Sequence, residues 1–259
     1  MKKGLILFSL ALTLLGSGCE MMANGEKDMQ NWQEVFQLTE TMEHDETAYT
    51  QGLFAYKGDL YESTGPNDHS RLTRYKGTSQ KEIIAEQKFN SDIFAEGSVV
   101  FGDTLYMLTW QNGIVMRFNP ETLEQKDILE YPYDGWGLTT NGEELIASDG
   151  SDSLYFMDDT LRVTKTLHVS CDGKKLNNIN ELEYDGRYIW ANVFTKSYLV
   201  AINPETGNVV MQVDFSELLP ENASKEHCLN GIAFDGEYYY FTGKNWPVMY
   251  KMKMIDGKE

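Results

Sequence analysis

Hydrophobic and polar residues alternate along most of the chain, and this alternation is organised into five similar segments. Each segment begins with a short apolar stretch, passes through a turn, and continues as a second alternating stretch. A period of two residues predicts β-strands with one buried face. The segments start 40 to 50 residues apart, at Gln51, Glu96, Trp136, Asn180 and Asn230.

The turn within each segment has the composition of a tight β-hairpin. Asn-Gly and Asp-Gly between alternating stretches favour hairpins because Asn, Asp and Gly tolerate a positive φ. The turns are Lys57-Gly58-Asp59, Gly102-Asp103, Asn141-Gly142, Asp185-Gly186 and Asp235-Gly236. The second strands are therefore predicted over 60–63, 105–109, 145–148, 188–193 and 238–242.

A second hairpin follows in each segment, with its clearest turns at 119–122, 158–160 and 203–207. Four strands in a repeat of this length are typical of a propeller blade. We therefore predict an all-β fold, a single five-bladed β-propeller with four-stranded blades, over residues 32–259. The fifth segment ends after its third strand, predicted over 248–254. We expect residues 32–41 to supply its outer strand, so that an N-terminal strand closes the ring and protects its edges.

The N-terminus has the pattern of a targeting segment, and residues 1–18 are predicted to be a signal peptide. Lys2 and Lys3 precede an apolar run at 5–15, and small residues at 16–18 lead into Cys19. A cysteine at this place resembles the acylated cysteine of bacterial lipoproteins, with plain secretion as the alternative. Residues 19–31 are expected to form a tether. The expected location is the bacterial cell envelope or periplasm.

The charge balance narrows the range of partners. The chain has 22 basic and 40 acidic residues, a formal net charge of −18. Such a body repels phosphate backbones and anionic lipids, so we expect no nucleic-acid partner and no membrane contact except through the lipid anchor. A monomer is expected. Cys171 and Cys228 could pair in an oxidising compartment, but sequence leaves both a disulfide and two thiols open.

The repeat aligns residues of unusual type at one place in the fold. The first residues of the five inner strands are a carboxylate, three carboxamides and an indole, where small or apolar residues are expected. A hairpin that starts at one face of the propeller returns to that face, so the ends of the second strands lie at the same mouth of the central channel. These ends are Gly65, Trp110, Gly150, Phe194 and Lys244. Polar and aromatic groups of three kinds at five equivalent positions indicate a ligand site, and a water-filled polar plug is the alternative.

Other kinds of site have no counterpart in the sequence. The chain has no serine elbow, phosphate loop or dinucleotide fingerprint. Its four histidines show no metal-ligand spacing; they are His44, His69, His168 and His227. We therefore expect neither a metal nor another cofactor.

Nine blocks of sequence, in order over residues 32–254, resemble the plant and bacterial glutaminyl-peptide cyclotransferases. Those that carry most of the resemblance include Tyr49-Thr50-Gln51-Gly52-Leu53, Phe94-Ala95-Glu96-Gly97, Gly135-Trp136-Gly137-Leu138-Thr139, Asn180-Glu181-Leu182-Glu183 and Thr242-Gly243-Lys244-Asn245-Trp246-Pro247. The resemblance implies a propeller enzyme that converts the N-terminal glutamine of peptides or proteins to pyroglutamate and releases ammonia, by a metal-independent acid–base mechanism.

The resemblance and the repeat together select ten candidate site residues. Glu96, Lys244 and Asn180 are the catalytic candidates, Glu96 for proton transfer and the other two for stabilising the developing oxyanion. The substrate-binding candidates are Gln51, Trp110, Trp136, Phe194, Tyr49, Phe94 and Asn230. Two positions depart from the family pattern, since Phe194 replaces a common tryptophan and Tyr49 a phenylalanine.

Two other functions remain compatible with these residues. Aromatic and carboxamide side chains also suit a non-enzymatic propeller that binds a peptide or carbohydrate in the channel mouth. A lactonase-like hydrolase would need a calcium ion held by carboxylate and asparagine side chains, for which Glu96, Asn180 and Asn230 are the available ligands.

Overall fold

The computed structural model describes residues 28–255. The predicted signal peptide (1–18), the predicted lipidation site Cys19 and the tether residues up to 27 lie outside the described part. The N-terminal elements are β1 (Gln30–Asn31), a short helix α1 (Trp32–Val35) and β2 (Phe36–Glu43). No helix between residues 28 and 255 is long and apolar enough to cross a membrane.

Five sheets, each with four antiparallel strands, form the five blades, which confirms the predicted propeller; β1 adds to the edge of the fourth sheet in parallel with its outer strand. The first blade consists of β3 (Tyr49–Tyr56), β4 (Asp59–Gly65), β5 (Arg71–Tyr75) and β6 (Ile83–Lys88). The second consists of β7 (Ala95–Phe101), β8 (Thr104–Thr109), β9 (Ile114–Phe118) and β10 (Gln125–Glu130). The third consists of β11 (Leu138–Thr140), β12 (Leu145–Ser148), β13 (Ser153–Met157) and β14 (Val163–His168).

A small hairpin separates the third and fourth blades; its strands are β15 (Ser170–Cys171) and β16 (Lys174–Lys175). The fourth blade consists of β17 (Ile179–Tyr184), β18 (Ile189–Val193), β19 (Tyr198–Ile202) and β20 (Val209–Asp214). The fifth consists of β21 (Leu229–Phe234), β22 (Tyr239–Gly243), β23 (Val248–Met254) and β2. Two 3₁₀ turns lie at Asn67–His69 and Ser216–Leu218.

The N-terminal strand closes the ring as predicted, because β2 pairs antiparallel with β23. The strand begins at Phe36 rather than at residue 32. Asn31 accepts a hydrogen bond from the backbone N–H of Gln33 (3.0 Å) and so caps the turn of α1 before the strand starts. Phe36 is buried between the last two blades, with ring centroids 5.4 Å from Trp190 and 5.2 Å from Phe241.

The core lies between neighbouring blades. Each of the five hydrophobic clusters among the described residues occupies one junction, including the junction where the fifth blade meets the first. The inner strands contact one another around the ring in the order β3, β7, β11, β17, β21 and back to β3. The outer strands β6 and β10 are mostly exposed. Cys171 and Cys228 are not joined by a disulfide.

Candidate active site

The residue predicted to begin each inner strand lies within one or two residues of the observed strand start, where the ladder of hydrogen bonds is interrupted or has not yet begun. Register shifts occur at Gln51 in β3, at Glu96 in β7, at Asn180 in β17 and at Asn230 in β21. In the third blade, Trp136 precedes the start of β11. A bulge re-aims a side chain relative to the regular pleat. Here the four bulges and the late start of β11 determine the direction of the five side chains that begin the repeated segments.

The backbone freed by these bulges is bonded to the neighbouring blade. The hydroxyl of Ser63 donates to the carbonyl of Glu96 (2.5 Å), and the hydroxyl of Ser148 donates to the carbonyl of Asn180 (2.7 Å). The N–H of Gly97 donates to the carbonyl of Trp136 (2.7 Å). A Cβ on Gly97 would come within 2.6 Å of that carbonyl, so the close approach of two inner strands requires glycine there.

A pocket of about 240 Å³ opens at this mouth of the channel. Nine of the ten residues predicted from sequence line it: Tyr49, Gln51, Phe94, Glu96, Trp110, Trp136, Asn180, Phe194 and Lys244. Asn230 is fully buried and is not among them. The structure thus brings nine of the predicted side chains around one cavity and places the tenth behind it.

Glu96 is almost completely buried, with 4% of its surface exposed. Its Oε1 accepts a hydrogen bond from Nε2 of Gln51 (2.8 Å), while no donor among residues 28–255 bonds its Oε2. Burial raises the pKa of the Glu96 carboxyl well above its usual value, and attraction to Lys244 offsets this only in part. A carboxyl with one oxygen fixed and a raised pKa suits proton transfer at the pocket.

Lys244 is equally buried and is held by aromatic rings. Its Nζ lies 4.6 Å from the ring centroid of Tyr49 and 5.0 Å from that of Phe194, within the range of cation–π contacts. No carboxylate oxygen of the described residues lies within 4.0 Å of it. Burial lowers the pKa of the Lys244 ammonium, and attraction to Glu96 opposes that shift. Its N–H donors therefore remain available to a ligand.

Asn230 connects the carboxamides behind the pocket. Its Oδ1 accepts from Nδ2 of Asn180 (2.9 Å), and its Nδ2 donates to the backbone carbonyl of Thr50 (2.8 Å) and to Oε1 of Gln51 (3.5 Å). The direction of donation runs from Asn180 through Asn230 and Gln51 to Glu96. Asn230, predicted to bind substrate, is thus placed to orient Asn180 and Gln51.

Aromatic rings form the wall of the pocket. The rings of Trp136 and Phe194 meet edge to face with centroids 5.6 Å apart, and the centroids of Phe94 and Trp110 are 5.5 Å apart. Trp110 is 41% exposed. The glycine at 150, an equivalent end of a second strand, makes room for one of these rings. A Cβ on Gly150 would meet the indole of Trp136 at 2.7 Å.

A buried ion pair that sequence analysis did not identify supports the site from behind. His44 Nε2 lies 3.1 Å from Glu62 Oε1, and that oxygen also accepts from the hydroxyl of Thr50 (2.7 Å), next to Gln51. Burial alone would lower the pKa of His44, but Glu62 reverses this and raises it; burial would raise the pKa of Glu62, but His44 lowers it. The other ring nitrogen of His44 bonds the carbonyl of Trp246 (2.6 Å), in the turn that follows Lys244.

The donor set does not resemble a metal centre. Between residues 28 and 255, no group of three or more His, Cys, Asp or Glu side chains is placed to hold a metal ion. The Oδ1 of Asn230, one of the oxygens that a calcium site would need as a ligand, already accepts a hydrogen bond from Nδ2 of Asn180.

Known proteins with a similar sequence and a similar fold belong to one enzyme family. A family model described as glutamine cyclotransferase matches residues 10–254. A glutaminyl-peptide cyclotransferase from Arabidopsis thaliana is 34% identical over 220 residues, covering 82% of this chain and 68% of that protein. The crystal structure of Myxococcus xanthus glutaminyl cyclase has a TM-score of 0.77 and 30% identity, covering 85% of this chain and 97% of that chain. A virginiamycin B lyase from Staphylococcus aureus, at 11% identity and a TM-score of 0.50 over 83% of this chain and 99% of its own, is similar in fold alone.

Proposed function

We propose that this chain, which belongs to the glutamine cyclotransferase family, converts the N-terminal glutamine of peptides or proteins to pyroglutamate and releases ammonia. The observation that carries the proposal is the position of Glu96. One of its carboxyl oxygens is fixed by Gln51, and the other has no donor among residues 28–255, in a small pocket lined by aromatic rings.

The reaction needs only one substrate residue. The α-amino nitrogen of the glutamine forms a bond to its own side-chain carbonyl carbon, and the bond from that carbon to the amide nitrogen breaks. One proton moves from the attacking amine to the departing nitrogen, which leaves as ammonia. Because both reacting groups belong to one residue, the protein has to supply orientation and proton transfer.

Glu96 is the proposed proton carrier. As a carboxylate it accepts the proton of the attacking amine, and as the acid it returns a proton to the leaving nitrogen. Such transfer by a well-placed group contributes about 10²–10⁴-fold to the rate, most when its pKa is near the working pH. Burial moves the pKa of Glu96 in that direction.

Lys244 and Asn180 are the proposed donors to the oxygen that becomes negative in the tetrahedral intermediate. The ammonium of Lys244 has no carboxylate within 4.0 Å among the described residues. Asn180 uses one amide hydrogen on Asn230, and a carboxamide has a second. Donors that are fixed before the reaction, in a site with little water, stabilise the transition state most effectively.

The aromatic wall limits what the pocket accepts. Sites for drug-sized ligands have volumes of about 300–1,000 Å³. At about 240 Å³ the pocket is below that range and suits the side chain and amine of a single residue. Rings on several sides hold this residue in a compact conformation, in which the amine lies close to the side-chain amide.

The test is to incubate residues 20–259 with a short peptide that begins with glutamine, with and without EDTA. We expect ammonia release and a peptide mass loss equal to one ammonia, both unchanged by EDTA. A folded protein that binds glycans or peptides saturably but releases no ammonia would support the binding-module alternative instead. Activity that EDTA abolishes would contradict the metal-independent mechanism.

We also propose that the protein is exported and anchored by a lipid on Cys19. The support is the pattern of Lys2, Lys3, the apolar run at 5–15 and the cysteine that follows. Mass spectrometry of the N-terminal peptide and membrane fractionation would test this. We expect the wild-type protein in the membrane fraction and Cys19→Ala outside it; fractionation that is the same for both would contradict the anchor.

A further inference from the structure

A second groove lies beside the pocket on the same face of the propeller. Its volume is about 240 Å³. One wall is the turn Thr195–Lys196–Ser197 after β18, and the other is the loop before β21, which contributes Ser224, Lys225 and His227. Nothing in the proposed cyclisation uses these residues.

The residues that line the groove adjoin residues that line the pocket at two places. Phe194 lines the pocket, and the next residue, Thr195, lines the groove. Cys228 lines the groove, and its backbone carbonyl accepts from the N–H of Lys244 (2.9 Å). Thr195 has a φ of 65°, which is uncommon for a β-branched residue and fixes the direction of the turn. The pocket and the groove are therefore neighbours on this face of the propeller, close enough for one ligand to contact both.

The spacing of residues in an extended peptide is compatible with a ligand that contacts both the pocket and the groove. An extended chain advances about 3.3–3.6 Å per residue, so the second and third residues of a peptide lie within about 10 Å of an N-terminal glutamine held in the pocket. The lining of the groove includes the apolar residues Leu219, Ala223 and Leu229 as well as hydroxyl-bearing residues of the two walls. Both features suit an extended backbone with small or polar side chains.

The groove also carries unneutralised positive charge. Ten lysine and arginine side chains in the described part of the chain form ion pairs, and neither Lys196 nor Lys225 is among them. Both residues are exposed, in a protein of net charge −18. The neighbouring Glu226 does not line the groove, and it lies close enough to Tyr49 to help raise the pKa of that hydroxyl. An anionic group on a ligand is therefore attracted to the groove.

We propose that this groove binds the peptide residues that directly follow the N-terminal glutamine, and that Lys196 and Lys225 select a carboxylate there. The carboxylate is either an acidic side chain at the second or third residue or the C-terminus of a very short peptide. The proposal rests on the proposed cyclotransferase function, and it identifies acidic N-terminal segments as the preferred substrates.

The test compares amidated peptides Gln-Ala-Glu-Ala, Gln-Ala-Gln-Ala and Gln-Ala-Lys-Ala, together with Gln-Ala-Gln as amide and as free acid. Exposed ion pairs change an equilibrium by at most about fivefold each. We therefore expect kcat/KM to be about three- to tenfold higher for the glutamate peptide than for its glutamine counterpart, with less difference at high salt. Preference for the free-acid tripeptide would assign the carboxylate to the terminus and also support the proposal.

Matched variants locate the effect. In Lys196→Ala/Lys225→Ala the preference should disappear, and in Lys196→Glu/Lys225→Glu it should turn towards the lysine peptide. Lys81→Ala, an exposed lysine in the turn between β5 and β6 at the opposite face, changes the net charge without touching the groove and should keep the wild-type preference. Equal kcat/KM for all peptides, or a preference that survives in the double alanine variant, would overturn the proposal.

A binding measurement separates this proposal from the proposed function. Calorimetric titration of Glu96→Gln with the same peptides measures their binding affinity in the absence of turnover. Tighter binding of the glutamate peptide, with no cyclisation by the wild-type protein, would support the groove and contradict the enzyme. Equal affinity for all peptides would overturn the proposed role of the groove, whether or not the wild-type protein cyclises them.

Discussion

Replacing Glu96 with glutamine removes a titratable proton and changes little else in the pocket. The two side chains have nearly the same shape, and a glutamine carbonyl oxygen at the place of Oε1 would keep the 2.8 Å hydrogen bond from Gln51. Its amide group would then occupy the place of Oε2, to which no residue of the described chain donates. We therefore expect Glu96→Gln to fold as the wild-type protein does.

The expected loss of activity follows from the role proposed for Glu96 in both halves of the reaction. Acid–base catalysis contributes about 10²–10⁴-fold, and each factor of ten corresponds to about 1.4 kcal/mol of barrier. We expect kcat for a glutamine-initiated peptide to fall by that factor, which is about 3–5 kcal/mol. KM should change little because Trp136, Phe194 and Lys244 still hold the substrate.

The stability of this variant should move in the opposite direction. A carboxyl whose pKa is raised in the folded state binds its proton more tightly there than in the unfolded chain, so it destabilises the fold as pH rises above 4.5. Glutamine does not titrate, so Glu96→Gln should have a Tm at pH 8 equal to or above that of the wild type. Thermal denaturation and an ammonia-release assay on one preparation measure both. Full activity in Glu96→Gln, or lost activity explained by a lower Tm, would refute the reasoning.

Substitutions at three further positions test the supporting structure. Asn230→Ala leaves the amide of Asn180 without its acceptor, so we expect a loss of about 1–3 kcal/mol in urea denaturation and a lower kcat; unchanged kcat would contradict its orienting role. His44→Ala leaves the Glu62 charge buried without its partner, which should cost about 3–5 kcal/mol. Because the pKa of His44 is raised in the folded protein, its protonated form stabilises the fold below pH 6.5, and this contribution is lost as pH rises through the folded-state pKa. Because the pKa of Glu62 is lowered, its charged form stabilises the fold above pH 4.5, and this contribution is lost as pH falls through the folded-state pKa. The wild-type Tm should therefore fall at both ends of a pH series, and the alkaline fall should be absent in His44→Gln. Gly137→Ala places a Cβ against the backbone of Asn180 and Glu181, so we expect lower stability and activity together, and a wild-type Tm would argue against close contact of these strands.

The strands and their order follow from local sequence. Alternation and the Asn-Gly and Asp-Gly turns predict β4, β8, β12, β18 and β22 to within two residues of their observed ends. These features are local, because side chains alternate along a strand and glycine tolerates a positive φ wherever it occurs. The outer strand from the N-terminus was also predictable, since the last segment lacked one. Its start at Phe36 depends on the cap by Asn31, which hydrophobic periodicity does not report.

The details of the site depend on contacts between distant parts of the chain. The repeat groups Asn230 with the other residues that begin the repeated segments. Only the fold shows that Asn180 and Gln51 line the pocket and that Asn230 is hydrogen-bonded to them from behind. The pairing of His44 with Glu62 likewise joins the N-terminal loop to the first blade and to Trp246 in the last. The spacing of His44 and Glu62 in the sequence does not indicate that they pair, because the two side chains come into contact only when the chain has folded into the closed ring.

The arrangement of Glu96 and Lys244 explains how one pocket can hold an acid–base group and a cation without joining them in a salt bridge. A direct pair would favour the charged form of both groups and occupy their hydrogen-bonding atoms. Here Glu96 is bonded to the neutral amide of Gln51, and Lys244 lies between the rings of Tyr49 and Phe194. Burial therefore dominates and brings the two pKa values towards each other, upward for the carboxyl and downward for the ammonium. The separation is possible because different blades supply the partners of the two groups. Gln51 of the first blade, itself bonded to Asn230 of the fifth, holds the carboxyl, while the rings of Tyr49 and Phe194 hold the ammonium.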